Sequence, residues 1–306
     1  MIHSEKTIKE ITALSKLDYS SRQIAELVLG SVTKKSTVSY ILSKQTKVIK
    51  AHVQSNMSKT ILFIPDCQVK PETDLAYLSA IGRYIVDKKP DIIVNAGDFF
   101  DFPSLSSYDK GKLKFEGRRL KADIDAGIAG MVTLLKPLRA YQKTDPSYKP
   151  RMIFTMGNHE ERLMRISKDN PEFDGFLGYH LLNLEKDWEV FDFLKPVNVQ
   201  GINFVHYLSN PMTGKPYGGS AAMQLKAVGV SFVVGHKQTL DIAIQPVLDG
   251  TMRLGIVAGA SYLFDEGYKG YQGNNHFRGV VMLYGAKDGY ADPSFISTKF
   301  LISRMK

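Results

Sequence analysis

The sequence contains a single cysteine, Cys67, among its 306 residues. No intrachain disulfide can form, which is typical of a protein that folds in a reducing cytosol. No apolar run approaches the roughly 20 residues that a helix needs to cross a bilayer, so we expect no membrane partner. Residues 1–6 also lack the apolar core of a signal peptide. These absences predict a cytoplasmic protein.

Two common catalytic patterns are missing as well. The sequence has no phosphate-binding loop of the form G-x-x-x-x-G-K-[ST], so nucleoside triphosphate hydrolysis of that kind is not indicated. It has no G-x-S-x-G turn, and its one cysteine has no evident base beside it. We expect Cys67 to be a small buried spacer. The chain therefore shows no covalent nucleophile.

Positive charge is concentrated at the N-terminus. The net charge is +9. Residues 1–58 hold nine Lys and Arg against four Asp and Glu, whereas the remaining residues hold 31 against 27. A basic segment beside a larger domain suggests a polyanionic partner, although excess charge can also serve only solubility.

The pattern of the first 45 residues predicts three short helices. Ile8, Ile11, Leu14 and Leu17 recur at helical spacing in the first. Ser20 or Ser21 can cap a second helix, and Gly30 marks its end. Ser36 or Thr37 can open the third. The apolar residues of the second and third helices are Ile24, Ala25, Leu27, Val28, Val38, Ile41 and Leu42.

The second and third helices resemble a helix-turn-helix DNA-binding unit. The resemblance rests on the strings SRQIAEL (residues 21–27) and KSTVSYIL (residues 35–42). It implies that the third helix enters the major groove with its N-terminal residues toward the bases. These residues are Lys34, Lys35, Ser36, Thr37, Ser39 and Tyr40. The turn at residues 29–33 departs from the pattern, because it is about three residues longer than usual.

We therefore expect a helix-turn-helix-like domain over residues 1–50 and a linker over residues 51–58. DNA is the predicted partner of this domain. A small three-helix domain can also dock a protein, and this alternative stays open.

Four polar segments each follow an apolar run that is typical of a buried strand. The segments are DCQ (66–68), GDFFD (97–101), GNHE (157–160) and GHKQ (235–238). The preceding runs cover residues 60–65, 91–96, 151–156 and 231–234. Residues just past strand ends meet at one edge of a sheet, where α/β folds build their sites. Carboxylate, amide and imidazole groups suit a pair of divalent metals, although Gly and Asp can also serve only as turn formers.

In this order, the four segments resemble the motifs of the calcineurin-like metallophosphoesterases, from about Lys59 to the C-terminus. The family pattern is D-x-H, G-D-x-x-D, G-N-H-[E/D], a lone histidine and G-H-x-H. His206 is the candidate lone histidine. The resemblance implies an α/β fold over residues 59–306, in which two mixed sheets pack face to face with helices outside. It also implies hydrolysis of a phosphoester.

The resemblance implies two sets of metal ligands. The first set is Asp66, Gln68, Asp98 and Gln238. The second set is Asp98, Asn158, His206 and His236. Both histidines of the first set are glutamines here, and amide oxygens make a harder and weaker site than imidazoles. We therefore expect two divalent ions as cofactors, with Mn²⁺ or Mg²⁺ favoured and Zn²⁺ less favoured at the glutamine-containing site. The alternative is that the first site has decayed and the protein is not catalytic.

The resemblance also assigns catalytic roles. A metal-bound hydroxide attacks phosphorus in line, His159 protonates the leaving oxygen or stabilises phosphoryl charge, and Asp101 orients His159. Arg162 on the following helix and Lys215 in the loop at residues 211–220 are candidate substrate contacts. His3, His52, His180 and His276 are expected to be structural or on the surface.

The favoured function is metal-dependent hydrolysis of a phosphodiester in DNA, as a nuclease that the N-terminal domain brings to its substrate. The arrangement resembles phage-encoded members of the family, which would act in the host cytoplasm. One alternative is a phosphatase or cyclic-nucleotide phosphodiesterase with a protein-docking N-terminal domain. Another is a non-catalytic DNA- or protein-binding factor on a decayed metal fold.

Overall fold

The computed structural model describes residues 3–16, 19–44, 57–107, 109–266 and 270–305. The chain divides into two compact units, Met1–Met57 and Ser58–Lys306. Residues 45–56 lie outside the described part, and with them the end of the predicted N-terminal domain and most of the predicted linker. Among the described helices, none combines the length and apolar character that a membrane span requires.

The described residues of the N-terminal unit form three helices around a small apolar core. They are α1 (Glu5–Lys16), α2 (Ser21–Leu29) and α3 (residues 35–44). The buried core consists of Ile11, Ile24, Ala25, Val38 and Ile41. Leu27, another apolar residue of α2, is 64% exposed, because the buried stripe of this helix follows Ile24, Ala25 and Val28. Leu17 lies outside the described residues.

The connection between α2 and α3 is more helical than the sequence suggests. Gly30 ends α2 with a left-handed φ of 68°. The Ser31 side chain then accepts a hydrogen bond from the Thr33 N–H and begins a 3-10 turn at Val32–Lys34, which continues into α3. The prediction that the third helix opens at Ser36 or Thr37 is therefore wrong, because Ser31 provides an earlier cap.

The second unit contains two mixed sheets. The first has the order β11-β10-β1-β2-β3-β4 and the second the order β5-β6-β7-β9-β8. The strands of the first sheet are β1 (Lys59–Ile64), β2 (Ile92–Asn95), β3 (Arg151–Thr155), β4 (Glu189–Phe191), β10 (Gly279–Lys287) and β11 (Tyr290–Ser297). Those of the second are β5 (Val197–Val199), β6 (Ile202–Val205), β7 (Phe232–Val234), β8 (Leu240–Pro246) and β9 (Met252–Ala258). The helices are α4 (Ala76–Lys88), α5 (Leu120–Thr144), α6 (Glu161–Asp169), α7 (Ala221–Val228), α8 (Gly270–Gly273) and α9 (Thr298–Ser303).

The two sheets pack face to face. The rings of Phe63 on β1 and Phe204 on β6 lie 5.9 Å apart between them, and both side chains are fully buried. Burying a side chain of this size contributes about 1.5–3 kcal/mol. Helices α4, α5 and α9 cover the outer face of the first sheet, and α7 covers that of the second. The predicted α/β sandwich with flanking helices is confirmed.

The strand order brings the polar segments to one edge. Strands β1, β2 and β3 run parallel, as do β6 and β7, so their carboxyl ends lie on the same side of each sheet. The observed strands differ from the predicted runs by one or two residues at their ends, where hydrogen bonding frays.

Little regular helix separates GDFFD from α5. After a 3-10 turn at Leu113–Phe115, α5 begins at Leu120. Gly117 has a φ of +77°, a left-handed conformation that an α-helix cannot include, so the helix begins only after it.

Candidate metal centre

Backbone hydrogen bonds join the first two polar segments side by side. The Gln68 N–H donates to the Asp98 carbonyl at 2.8 Å, and the Val69 N–H donates to the Phe99 carbonyl at 2.7 Å. The Asp101 N–H donates a hydrogen bond to the Val69 carbonyl at 2.9 Å. Gln68 and Asp98 both have a φ of 47°, a left-handed conformation that costs about 1–2 kcal/mol for such residues. Strain of this kind is concentrated at functional sites.

Glu160 holds the second and third segments together. Its buried carboxylate accepts hydrogen bonds from four backbone N–H groups at 2.8 or 2.9 Å. They belong to Asp98, Phe99, Phe100 and Gly157. No role was predicted for Glu160, although it is the acidic residue that closes the G-N-H-[E/D] pattern. Each N–H left buried without its partner would cost about 1–3 kcal/mol.

Three side chains form a compact group of metal-ligating atoms. One such atom from each of Asp98, His206 and His236 lies within 4.8 Å of the others. His206 Nε2 is 3.3 Å from Asp98 Oδ2 and 2.9 Å from Asn158 Oδ1. The structure thus brings together all four residues predicted as the second ligand set.

The donor set around His206 fits a divalent cation. Its Nδ1 lies 2.8 Å from the Ala96 carbonyl, which only accepts, so Nδ1 carries a proton. Its Nε2 then faces two further acceptors, the oxygens of Asn158 and Asp98. Without a cation these atoms are compatible only if Nε2 is protonated. Although burial opposes the charged form, the Asp98 carboxylate raises the pKa of His206 to about 9.

The residues of the first ligand set also fit a cation. Asp66 Oδ2 and Gln68 Oε1 are buried acceptors with no hydrogen-bond partner in the described part of the chain. Asp66 Oδ1 accepts the His236 N–H at 3.0 Å, and Gln238 Oε1 accepts the Tyr262 O–H at 2.8 Å. Burial raises the pKa of Asp66 to about 7. An all-oxygen set of this kind suits a hard ion such as Mg²⁺ or Mn²⁺.

His159 lies between two carboxylates. Its Nδ1 is 3.0 Å from Asp101 Oδ1, and its Nε2 is 3.6 Å from Asp98 Oδ2. Burial opposes the charged form of His159, but Asp98 and Asp101 raise its pKa. In His236, burial and the nearby His206 lower the pKa to about 4, so its imidazole is neutral and able to bind a metal.

The two predicted substrate contacts are placed differently. Arg162 Nη1 donates to the carbonyls of Asp101 at 2.8 Å and Phe102 at 3.1 Å, so it braces the loop that carries Asp101. Lys215 is exposed in the loop between β6 and α7. Its ammonium group contacts none of the described residues of the candidate centre. Contact with substrate stays a prediction for both residues.

The residues predicted to bind DNA lie at the start of α3. Lys35, Ser36, Ser39 and Tyr40 are exposed, and Thr37 is half-buried. The Lys34 ammonium donates a hydrogen bond to the Leu29 carbonyl at 3.0 Å, so it also gives a partner to a carbonyl at the C-terminal end of α2. The Lys44 ammonium lies 5.6 Å from the centre of the Tyr40 ring.

Comparison with known proteins identifies the larger unit. The family profile of the calcineurin-like phosphoesterases matches residues 59–240. Two gene 54 proteins are similar over 106 residues, at 35% identity in Mycobacterium phage D29 and 42% in Mycobacterium phage L5. Each of these matches covers 35% of this chain and 38% of the phage protein. The chain thus matches less than half the length of these relatives, which are phage proteins as the sequence resemblance implied.

Proposed function

We propose that this chain, which belongs to the calcineurin-like phosphoesterase family, is a metal-dependent phosphoester hydrolase whose substrate is a phosphodiester bond in DNA. The observation that carries the catalytic part is the pairing of Asp101 with His159, 3.0 Å apart, beside the acceptor-rich group around His206. An acid–base pair next to a cation-binding group can catalyse phosphoester hydrolysis.

We assign the two metals to the ligand sets already described. Asp98 belongs to both sets, and Mn²⁺ or Mg²⁺ is the proposed ion at the glutamine-containing set. Bound divalent ions supply an activated water and neutralise phosphoryl charge.

The protein's own residues then have separate tasks. Asp101 holds Nδ1 of His159, which leaves Nε2 on the side of Asp98 to protonate the departing oxygen. Arg162 holds the backbone at Asp101, and Glu160 holds the backbone at Asp98.

The choice of DNA rests on the N-terminal unit. It carries a surplus of five positive charges, and exposed polar side chains begin its third helix. Such a helix can enter the major groove of DNA, while its lysines neutralise phosphates.

A panel of metals and substrates tests the proposal. Mg²⁺, Mn²⁺, Ni²⁺ and Zn²⁺ are each combined with single-stranded DNA, duplex DNA, RNA, a cyclic dinucleotide, an aryl phosphodiester and an aryl phosphomonoester. We expect hydrolysis of DNA and of the aryl diester with Mn²⁺ or Mg²⁺. Turnover of only the monoester or only the cyclic dinucleotide would contradict DNA as the substrate. Absence of hydrolysis under every condition would favour a non-catalytic binding factor.

A further inference from the structure

Lys70 lies beside the catalytic pair although it belongs to none of the four polar segments. The backbone hydrogen bonds between Val69 and residues 99 and 101 place Lys70 next to Asp101. Its ammonium Nζ is 3.5 Å from Asp101 Oδ2. The other oxygen of the same carboxylate, Oδ1, is 3.0 Å from His159 Nδ1. One oxygen of the Asp101 carboxylate therefore faces the lysine ammonium, and the other faces the histidine ring.

The Lys70 ammonium is itself held in place. It donates a hydrogen bond to Glu266 Oε1 at 3.2 Å and lies 3.9 Å from the centre of the Phe264 ring. Glu266 is anchored in turn, since its backbone N–H donates to Asn274 Oδ1 at 2.8 Å. The Lys70 side chain is only 28% exposed. A carboxylate and an aromatic face are both favourable partners for a partly desolvated ammonium.

The pairing with Glu266 distinguishes Lys70 from a free phosphate-binding lysine. Two carboxylates, Asp101 and Glu266, already face its single positive charge. Little of that charge is left for an incoming phosphate. The same two contacts fix the position of the ammonium, and through it the rotation of the Asp101 carboxylate.

We propose that Lys70 is a positioning residue for catalysis, which holds the Asp101 carboxylate so that its Oδ1 orients the His159 ring. This rests on the proposed role of His159. Without Lys70, the Asp101 carboxylate can rotate away from His159 Nδ1, and Glu266 is left as an unpaired negative charge nearby. Lys70 thus acts on the reaction only through Asp101 and His159.

The first experiment compares Lys70→Met and Lys70→Arg in the full-length, Mn²⁺-loaded enzyme with the aryl phosphodiester. We expect Lys70→Met to lower kcat by about 10- to 100-fold, as for other groups that orient a functional residue, with KM within about twofold of wild type. Lys70→Arg should retain most activity, because a guanidinium can reach both carboxylates. Lys88→Met is the matched control and should leave the rates unchanged, because Lys88, on α4, pairs with Asp87 and lies over the Tyr84 ring.

A double-mutant cycle with His159→Ala separates positioning from substrate binding. If Lys70 acts through His159, Lys70→Met in the His159→Ala background should cause no further loss of kcat. If the two losses multiply, or if Lys70→Met raises KM, Lys70 contacts the phosphate directly and the proposal is wrong.

A measurement independent of turnover completes the test. Nitrogen NMR of histidine-labelled, Mg²⁺-loaded protein reports which ring nitrogen of His159 carries the proton and how it is hydrogen-bonded. We expect the Nδ1 signal to change in Lys70→Met and to stay near wild type in Lys70→Arg and Lys88→Met. An unchanged signal in Lys70→Met would overturn the proposal, whether or not a substrate has been found.

Discussion

The phenol oxygen of Tyr262 lies 2.8 Å from the Gln238 side-chain oxygen, and both residues are buried. An amide side chain can present either its oxygen or its nitrogen to a metal, whereas only the oxygen is a ligand. The Tyr262 O–H donates to Gln238 Oε1, so the amide oxygen, and not the amide nitrogen, faces Tyr262. Tyr262 thus orients the glutamine that stands where the family pattern has its last histidine.

Replacing Tyr262 with Phe should weaken metal binding at the first ligand set. Loss of one net hydrogen bond, worth about 1 kcal/mol, predicts a Kd for Mn²⁺ about fivefold higher at that set. Binding at the set that contains His206 should not change. Isothermal titration calorimetry with Mn²⁺ measures both sites. Tyr290→Phe, which removes a hydroxyl on β11, is the control, and equal effects of the two variants would contradict an orienting role for Tyr262.

The ligand set with two imidazoles should bind its metal before the all-oxygen set. Borderline divalent ions bind imidazole nitrogen more tightly than neutral amide oxygen. Crystals grown with less than one equivalent of Zn²⁺, a borderline ion, should show anomalous density among Asp98, Asn158, His206 and His236 first. Density beside Gln68 and Gln238 alone would show that the two sets have been assigned in the wrong order.

The change of His159 to Ala should separate proton transfer from metal binding. No metal-ligating role is assigned to His159, so metal content should stay near wild type. Turnover of a diester should fall by about 10²–10⁴-fold, the usual contribution of a positioned acid–base group. Asp98→Ala is the comparison and should remove both metal and activity. A His159→Ala protein that loses its metal would make His159 a ligand.

Metal binding should release a proton and strengthen as the pH rises. The pKa of His206 is raised to about 9, so this imidazole is protonated at pH 7 until a metal displaces the proton. The affinity should therefore increase between pH 7 and pH 9. Titration calorimetry at pH 7 in Tris and in Pipes, which differ in ionisation enthalpy, should report release of about one proton per metal at this site.

The raised pKa of His206 also makes the stability of the metal-free protein depend on pH. A raised pKa means that the folded state binds the His206 proton more tightly than the unfolded chain does. This contribution is complete below the ordinary histidine value of about 6.5 and is lost as the pH rises through about 9. The metal-free protein should thus unfold at lower temperature at pH 9 than at pH 7, and added Mn²⁺ should reduce that difference.

The N-terminal unit should contribute affinity for DNA that depends strongly on salt. Changing Lys34 and Lys35 together to Ala removes two phosphate partners, so binding to duplex DNA should weaken and the slope of log K against log salt should become shallower by about two. Hydrolysis of the aryl diester should stay unchanged. Lys6→Ala with Lys9→Ala, two exposed lysines on α1, is the matched control. Equal DNA binding by the two double variants would favour a protein-docking role.

The sequence by itself determined where the polar segments lie and in what order. Each stands at the end of an apolar, β-branched run, and parallel strands carry their carboxyl ends to one edge. The family pattern then predicted Asp98, Asn158 and His236 as metal ligands without knowledge of any distance. Local signals also predicted a cap at Ser20 or Ser21, of which the structure uses Ser20, and the stop at Gly30.

Only the tertiary structure decided what contacts those segments from elsewhere in the chain. Lys70 and Glu266 lie 196 residues apart in sequence, and Tyr262 lies 24 residues from Gln238. No periodicity or motif links such pairs, because side-chain contacts between distant segments depend on how whole sheets and loops pack. For the same reason the sequence did not show that Arg162, which is predicted to contact substrate, also donates a hydrogen bond to the Asp101 carbonyl. Local sequence specifies strands and turns, whereas long-range packing selects the partners of each catalytic group.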